Sequence, residues 1–160
     1  MIIHIDIARQ WLELTTDTGV ILRYPVSTAA NGAGERAGSF CTPRGLHIVR
    51  AKVGAELPVN SVLVGRRPTG EIYTPEMGLE QPERDWILSR ILWLSGQEPG
   101  FNRLGACDSM RRYIYIHGTP DERFEQRPAS HGCIRMRNAD VLELFERTPP
   151  CTPVRITDGT

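Results

Sequence analysis

Between Tyr113 and Met136 the chain gathers the residue types that acyl transfer requires. The run Tyr113-Ile-Tyr-Ile-His117-Gly118 is followed, after a polar link containing proline, by Ser130-His131-Gly132-Cys133-Ile-Arg135-Met136. Transfer of an acyl group from a peptide needs a nucleophile, a base to take its proton, and donors for the oxyanion of the tetrahedral intermediate. Cys133 suits the first role, because a thiolate is intrinsically nucleophilic and a neighbouring imidazolium lowers a thiol pKa. Two histidines qualify as its partner. His117 closes a predicted strand, and Gly118 after it lets the chain turn and lets substrate backbone come close. His131 shares a face with Cys133 if Ser130 to Cys133 is extended; if that segment turns at Gly132, their relation is open. His117 is the preferred base. Gly132 also frees successive main-chain amides to point at one spot, an oxyanion hole made without side chains. Arg135 can offer a bidentate fork to a carboxylate, which suits a substrate ending in free carboxyl groups.

The elements that must position these groups read mostly as strands. Ile3, Ile5 and Ile7 alternate, Trp11-Leu-Glu-Leu14 follows, and Asp17-Thr18-Gly19 supplies a hairpin turn. Val20 to Val26, Leu46 to Lys52, Ser61 to Gly65, Tyr113 to His117 and Val154 to Thr157 carry the β-branched and aromatic residues of further strands. The spacing predicts two helices. One runs from about Pro82 to Ser95, with Trp86, Ile87, Ile91 and Leu94 on one stripe and Gly96 as its stop. The other is capped by Asn138, presents Val141, Leu142 and Phe145, and ends at Thr148-Pro149-Pro150. The Gly-rich stretch Ala29 to Ser39 is expected to be a surface loop. The fold class is mainly β, a β-rich α+β single domain over residues 1–160 with an antiparallel or mixed sheet and a few short helices.

Nineteen basic and nineteen acidic residues balance, so nothing favours nucleic acid or an anionic membrane as partner. The start of the chain lacks a basic, apolar export pattern. Cys41, Cys107, Cys133 and Cys151 lie singly, without disulfide or zinc-knuckle spacing. Both features point to the cytoplasm, or to the periplasm if an export signal has been removed. Cys41, Cys107 and Cys151 read as small buried hydrophobes, and His4 and His47 as satisfied surface or core groups. A zinc set of His117, His131, Cys133 and another cysteine is the competing reading, and it lacks paired-ligand spacing. Neither metal nor cofactor is expected.

The segment from His117 through Ser130-His-Gly-Cys-Ile-Arg-Met136 resembles the active-site signature of the L,D-transpeptidase (YkuD-type) family. Tyr24-Pro-Val-Ser-Thr28, Gly38-Ser39 and Thr42-Pro-Arg-Gly45 are similar to that family's upstream strand, loop and turn, so the likeness covers nearly the whole chain. It implies a mixed β-sheet sandwich or barrel. It also implies cleavage between the third residue of a peptidoglycan stem, often meso-diaminopimelate, and the terminal D-alanine, through a thioester on Cys133. The resemblance makes Cys133 the nucleophile and His117 the base, with His131 and Gly132 shaping the pocket and oxyanion site. His131 is counted with the catalytic residues, and Ser130, Arg135 and Gly118 are expected with Gly132 at the substrate and oxyanion sites. Gly118 stands where some members have serine, so any contact orienting the histidine must come from backbone or elsewhere. The expected partners are stem tetrapeptides or muropeptides. Release by water, an L,D-carboxypeptidase activity of murein recycling, is the leading expectation. That reading rests on the missing export pattern and on an insertion-like stretch, Ile72 to Gly105, that could wall one side of the site. The alternatives are cross-linking of a second stem and binding of stem peptides without cleavage.

Overall fold

Alternation at the N-terminus becomes a three-stranded meander in the computed structural model, which describes residues 1–159. Strand β1 (Ile2–Asp6) buries Ile3 and Ile5, and pairs antiparallel with β2 (Trp11–Thr16), which buries Leu12 and Leu14. Strand β3 (Gly19–Pro25) follows through the turn at Asp17 and Thr18. The remaining strands are β4 (Gly45–Val53), β5 (Ser61–Val64), β6 (Arg67–Ile72), β7 (Ile87–Gly96), β8 (Tyr115–Thr119), β9 (Ile134–Arg137) and β10 (Pro153–Thr157). Helices are few and short: α1 (Pro75–Glu80), α2 (Asn138–Arg147) and two single 3-10 turns.

All ten strands belong to one mixed sheet. Its main path runs β3-β2-β1-β10-β4-β7-β5-β6, and it branches at β7, which also pairs with β8. Among the described strand pairs, β1 with β10 and β8 with β9 are parallel and the rest antiparallel. The fold is thus mainly β and mixed, as the sequence implies. Thr160, the last residue of the expected domain, lies outside the described residues. Among the described residues no helix is long and apolar enough to cross a membrane.

The expected helix over Pro82 to Ser95 is instead β7, the central strand of the sheet. One edge of β7 pairs with β4 and β5 and the other with β8, and nearly every residue from Leu88 to Leu94 is buried, so side chains on both its faces are covered. A strand buried on both faces reads as a continuous apolar run, which a helical template matches as well as a strand template does. The register irregularity between Leu88 and Ile91, with Ser89 at φ 72°, disturbs the alternation further.

Helix α2 lies across β7, β8 and β9 and closes the core beneath the sheet. Its buried face is Val141, Leu144 and Phe145, at i, i+3 and i+4, while Leu142 is only partly covered. Asn138 is not the cap: it is the first helical residue, and Arg137 holds the cap position without a side-chain bond. The Asn138 amide turns inward, donating to the Asn60 side chain (2.9 Å) and the Thr119 carbonyl (3.1 Å), while its oxygen accepts from Ser89 Oγ (2.6 Å). A buried amide must be paired on both ends, and this network satisfies it where a cap would have left the core polar groups alone. Asp121 caps the helix from another segment, accepting from the Asn138 N–H at 3.2 Å.

His47 is a buried structural histidine, held by Ser109 Oγ at 2.8 Å and the Gly45 carbonyl at 3.1 Å, and burial pushes its pKa down to about 4. His4 lies on the surface side of β1, bonded to Thr157 Oγ1 at 2.8 Å.

Candidate active site

The parallel pairing of β8 with β9 sets Ile116 opposite Ile134, His117 opposite Arg135 and Gly118 opposite Met136. Because strand side chains alternate, one face carries Tyr115, His117, Cys133 and Arg135, while Ile116, Ile134 and Met136 go into the core. Each fully buried Ile or Leu contributes roughly 1.5–3 kcal/mol against leaving it in water, so this face assignment is firmly held.

Cys133 enters β9 from a tight bend. Ser130 Oγ donates to the Cys133 carbonyl (2.6 Å) and accepts from the Gly132 N–H (3.2 Å), and Thr42 Oγ1 donates to the Gly132 carbonyl (2.9 Å). The loop Ala29 to Ser39 supports this bend from behind: Ala30 N–H donates to the Ser130 carbonyl at 2.9 Å. Gly132 sits at φ 134°, and a Cβ there would press on Ile114 and on the Cys41 carbonyl at 3.2 and 3.3 Å, so the bend demands glycine. The segment is therefore a turn and not extended, and His131 stands exposed on the rim, edge-on to Phe40 with ring centroids 6.0 Å apart. The Gly132 amide, expected to be free, is held in the resting structure by Ser130.

A cavity of about 200 Å³ opens over this face. Among its lining residues are Cys133, His117, Ser130, His131 and Arg135, five of the seven residues singled out in the sequence. Gly132 lies just beneath, in the bend. Gly118 is elsewhere: it is buried on the opposite face, where a Cβ would come within 2.5 Å of both Asn138 Oδ1 and the Leu88 carbonyl. Its small size serves the packing of α2 and β7 onto β8, not the approach of substrate. Gly118→Ala should destabilise the fold by about 1–3 kcal/mol through overpacking. Urea unfolding checks this, and a midpoint equal to wild type would mean that α2 can move aside without cost.

His117 lies within β8 and does not close it; the strand continues through Thr119. Its Nδ1 is 2.6 Å from the Gly118 carbonyl. A carbonyl only accepts, so Nδ1 carries the proton and Nε2 of the neutral ring is left with its lone pair. This is the orienting contact that a serine would otherwise have had to provide. Burial holds the His117 pKa below the ordinary histidine value, against the raising influence of Asp85 and the Gly118 carbonyl. Cys133 Sγ accepts from the Tyr115 N–H at 3.4 Å and donates to the Tyr113 carbonyl at 3.3 Å. Burial pushes its pKa up to about 12, outweighing the lowering by the Tyr115 N–H, Arg135 and Arg112. The resting pair is a neutral thiol and a neutral imidazole.

Two further charged residues line the cavity that sequence spacing did not select. Asp85 reaches Arg135 at 3.3 Å. Arg112 is half-buried, and its guanidinium donates to the carbonyls of Cys41 (2.6 Å) and Gly34 (3.3 Å) and to Ser39 Oγ (3.4 Å). Asp85 sits in the stretch misread as a helix, and Arg112 meets Cys133 only through the fold, so neither left a local signal. Among the described residues no three His, Cys, Asp or Glu side chains gather as a metal set.

The fold and this pair of strands define a class of β-rich domain built around a cysteine and a histidine. The model of the L,D-transpeptidase catalytic domain, YkuD, matches residues 1–156, and the chain belongs to that family. It is 31% identical over 111 residues to the probable L,D-transpeptidase YbiS of Escherichia coli, covering 67% of this chain and 35% of that protein. With the putative L,D-transpeptidase YqjB of Bacillus subtilis it shares 47% identity over 47 residues, 29% of this chain and 27% of that protein. The chain thus matches about a third or less of the length of these relatives. Its fold is similar to that of the L,D-transpeptidase from Xylanimonas cellulosilytica, with a TM-score of 0.55 at 20% identity over 98% of this chain and 59% of the other. The L,D-transpeptidase from Mycobacterium smegmatis gives 0.55 at 16% identity, over 98% and 58%.

Proposed function

We propose that this protein is a cysteine acyl-transfer enzyme acting on peptidoglycan stem peptides, with Cys133 as nucleophile and His117 as base. The observation that carries the reading is the opening of Cys133 and His117 into one cavity from paired parallel strands, with His117 Nε2 left as the acceptor. Cys133 Sγ attacks the carbonyl of the third stem residue, and His117 Nε2 takes the thiol proton. The tetrahedral intermediate collapses with cleavage of the bond to the terminal D-alanine, whose amine receives that proton from the imidazolium. The stem remains as a thioester on Cys133. A water or an amine then attacks, His117 again accepts the proton, and Sγ leaves. The Cys133 amide at the bend is suited to the oxyanion.

Two acceptors fit this scheme. Water gives the tripeptide and free D-alanine, the carboxypeptidase outcome expected from the sequence. An amine is favoured by a second cavity of about 310 Å³ that shares Asp85, His131 and Arg135 with the first and gives an acceptor stem a place to lie. The segment Pro82 to Trp86, part of the stretch read as a wall, lines this second cavity and does not seal it.

The test is incubation of the protein with disaccharide tetrapeptide and with free tetrapeptide, with and without excess D-amino acid, read by mass spectrometry. Loss of D-alanine is expected in every case, with exchanged or cross-linked products dominant when an amine is present. Tripeptide alone under all conditions would assign the water reading, and unchanged tetrapeptide throughout would sink acyl transfer in favour of a stem-binding protein.

A further inference from the structure

Four arginines line the second cavity, Arg84, Arg123, Arg127 and Arg135, against two carboxylates, Glu83 and Asp85. They are not equally engaged. Arg84 is spent: it forks onto Glu71 with contacts of 2.8 and 3.2 Å and stacks over Trp86. Arg127 pairs with Glu125 where both side chains are 62% exposed, and such a pair is worth little in water and yields to competition. Arg135 touches Asp85 through a single nitrogen at 3.3 Å, leaving other N–H groups of its fork unused. Arg123 has no carboxylate partner among the described residues and donates only to the Pro82 carbonyl at 2.8 Å. A fifth donor adds to these. Trp86 also lines the cavity, is 3% exposed, and its indole N–H is buried without an acceptor. A buried donor left unpaired is destabilising, and this one belongs to a residue of the cavity wall.

A concave site bordering the reacting cysteine, rich in unspent N–H donors and positive charge, is built for planar oxygen anions. We propose that this cavity is a carboxylate subsite through which the enzyme selects stem peptides whose carboxyl groups are free over those in which they are amidated. Arg123 and Arg135 hold the carboxylate, with Arg127 at the mouth. The proposal rests on the acyl-transfer reading above and names a selectivity within it. The same chemistry comes from two sources, the donor stem or the acceptor stem, and the experiment separates them.

Four reactions would be compared at fixed ionic strength: free-acid or amidated tetrapeptide donor, each with free-acid or amidated tripeptide acceptor. A KM lower by on the order of tenfold or more for the free acid is expected, in the donor arm or in the acceptor arm according to which stem lies in the cavity. Arg123→Gln with Arg127→Gln should close most of that gap and Arg123→Lys should restore part of it, while the thermal midpoint stays near wild type. Equal KM values in both arms would overturn the proposal. Should wild type turn over no peptide, acyl transfer itself has failed, and calorimetric binding of the same peptides to the Cys133→Ala protein still decides the subsite. Tighter binding of the free acids that is lost in Arg123→Gln supports it, and equal binding overturns it.

Discussion

Exchange of Cys133 for alanine should abolish release of D-alanine from stem tetrapeptides, lowering kcat by on the order of 10⁴-fold or more, as removal of a nucleophile does. The chain carries three other thiols, and none of them faces the cavity over β8 and β9. Cys41 Sγ turns to the Asn31 and Ser39 carbonyls, Cys107 Sγ to the Leu104 carbonyl, and Cys151 is exposed before β10. Alanine at each of these should leave turnover near wild type. A further contrast separates catalysis from simple thiol reactivity. A neighbouring imidazolium would have made Cys133 the fastest thiol toward iodoacetamide at neutral pH. In the structure burial of the thiol prevails, and its pKa is pushed up to about 12. Iodoacetamide should therefore label Cys133 no faster than the exposed Cys151 at pH 7, while a tetrapeptide acylates Cys133 alone, read by intact mass. Full activity of Cys133→Ala would remove the thioester from the mechanism.

How much of this was readable in the chain depends on whether the signal was local. The alternation Tyr113-Ile-Tyr-Ile-His117 and Cys133-Ile-Arg-Met136 already contains the two-faced character of β8 and β9, because period 2 sends chemistry to one side and aliphatics to the other. What it could not contain is that the strands are parallel neighbours in the register His117 with Arg135. The same limit explains Gly118. A glycine after a histidine reads as a turn, yet here it is fixed by the side chain of Asn138 and the carbonyl of Leu88, both remote in sequence. For β7 the signal was present and ambiguous, since a strand covered on both faces lacks alternation. The true helix in that region, α1, had a local signature in Thr74, whose side chain accepts the Met77 N–H, and Pro75 at the first helical position. The apolar stripe beginning at Trp86 outweighed it. Strand β6, with Pro68 and Gly70 on an exposed edge, carried no apolar pattern at all.

Replacement of His117 by glutamine should cost about 10²–10⁴-fold in kcat/KM, the usual range for a general base, and should change the shape of the pH profile as well as its height. As the proposed base, His117 can act in the wild type only when neutral. Its burial lowers its pKa, so protonation, and with it loss of activity, sets in only as pH falls below the ordinary histidine value near 6.5. The acid limb is displaced to lower pH. On the alkaline side the thiol does not ionise by itself until pH approaches about 12, so the base-assisted rate should hold level through pH 9. Without His117, the reaction depends on spontaneous ionisation of Cys133, and the residual rate should climb about tenfold per pH unit across that range, as the thiolate fraction does below its pKa. A level profile in His117→Gln, or an unaltered rate at pH 7, would show that another group takes the thiol proton. His131 is then the candidate, being the other histidine on the cavity. Its exposed position on the rim, against Phe40 and away from the Gly118 carbonyl that fixes the tautomer of His117, is the reason to expect His131→Gln to act mainly on KM.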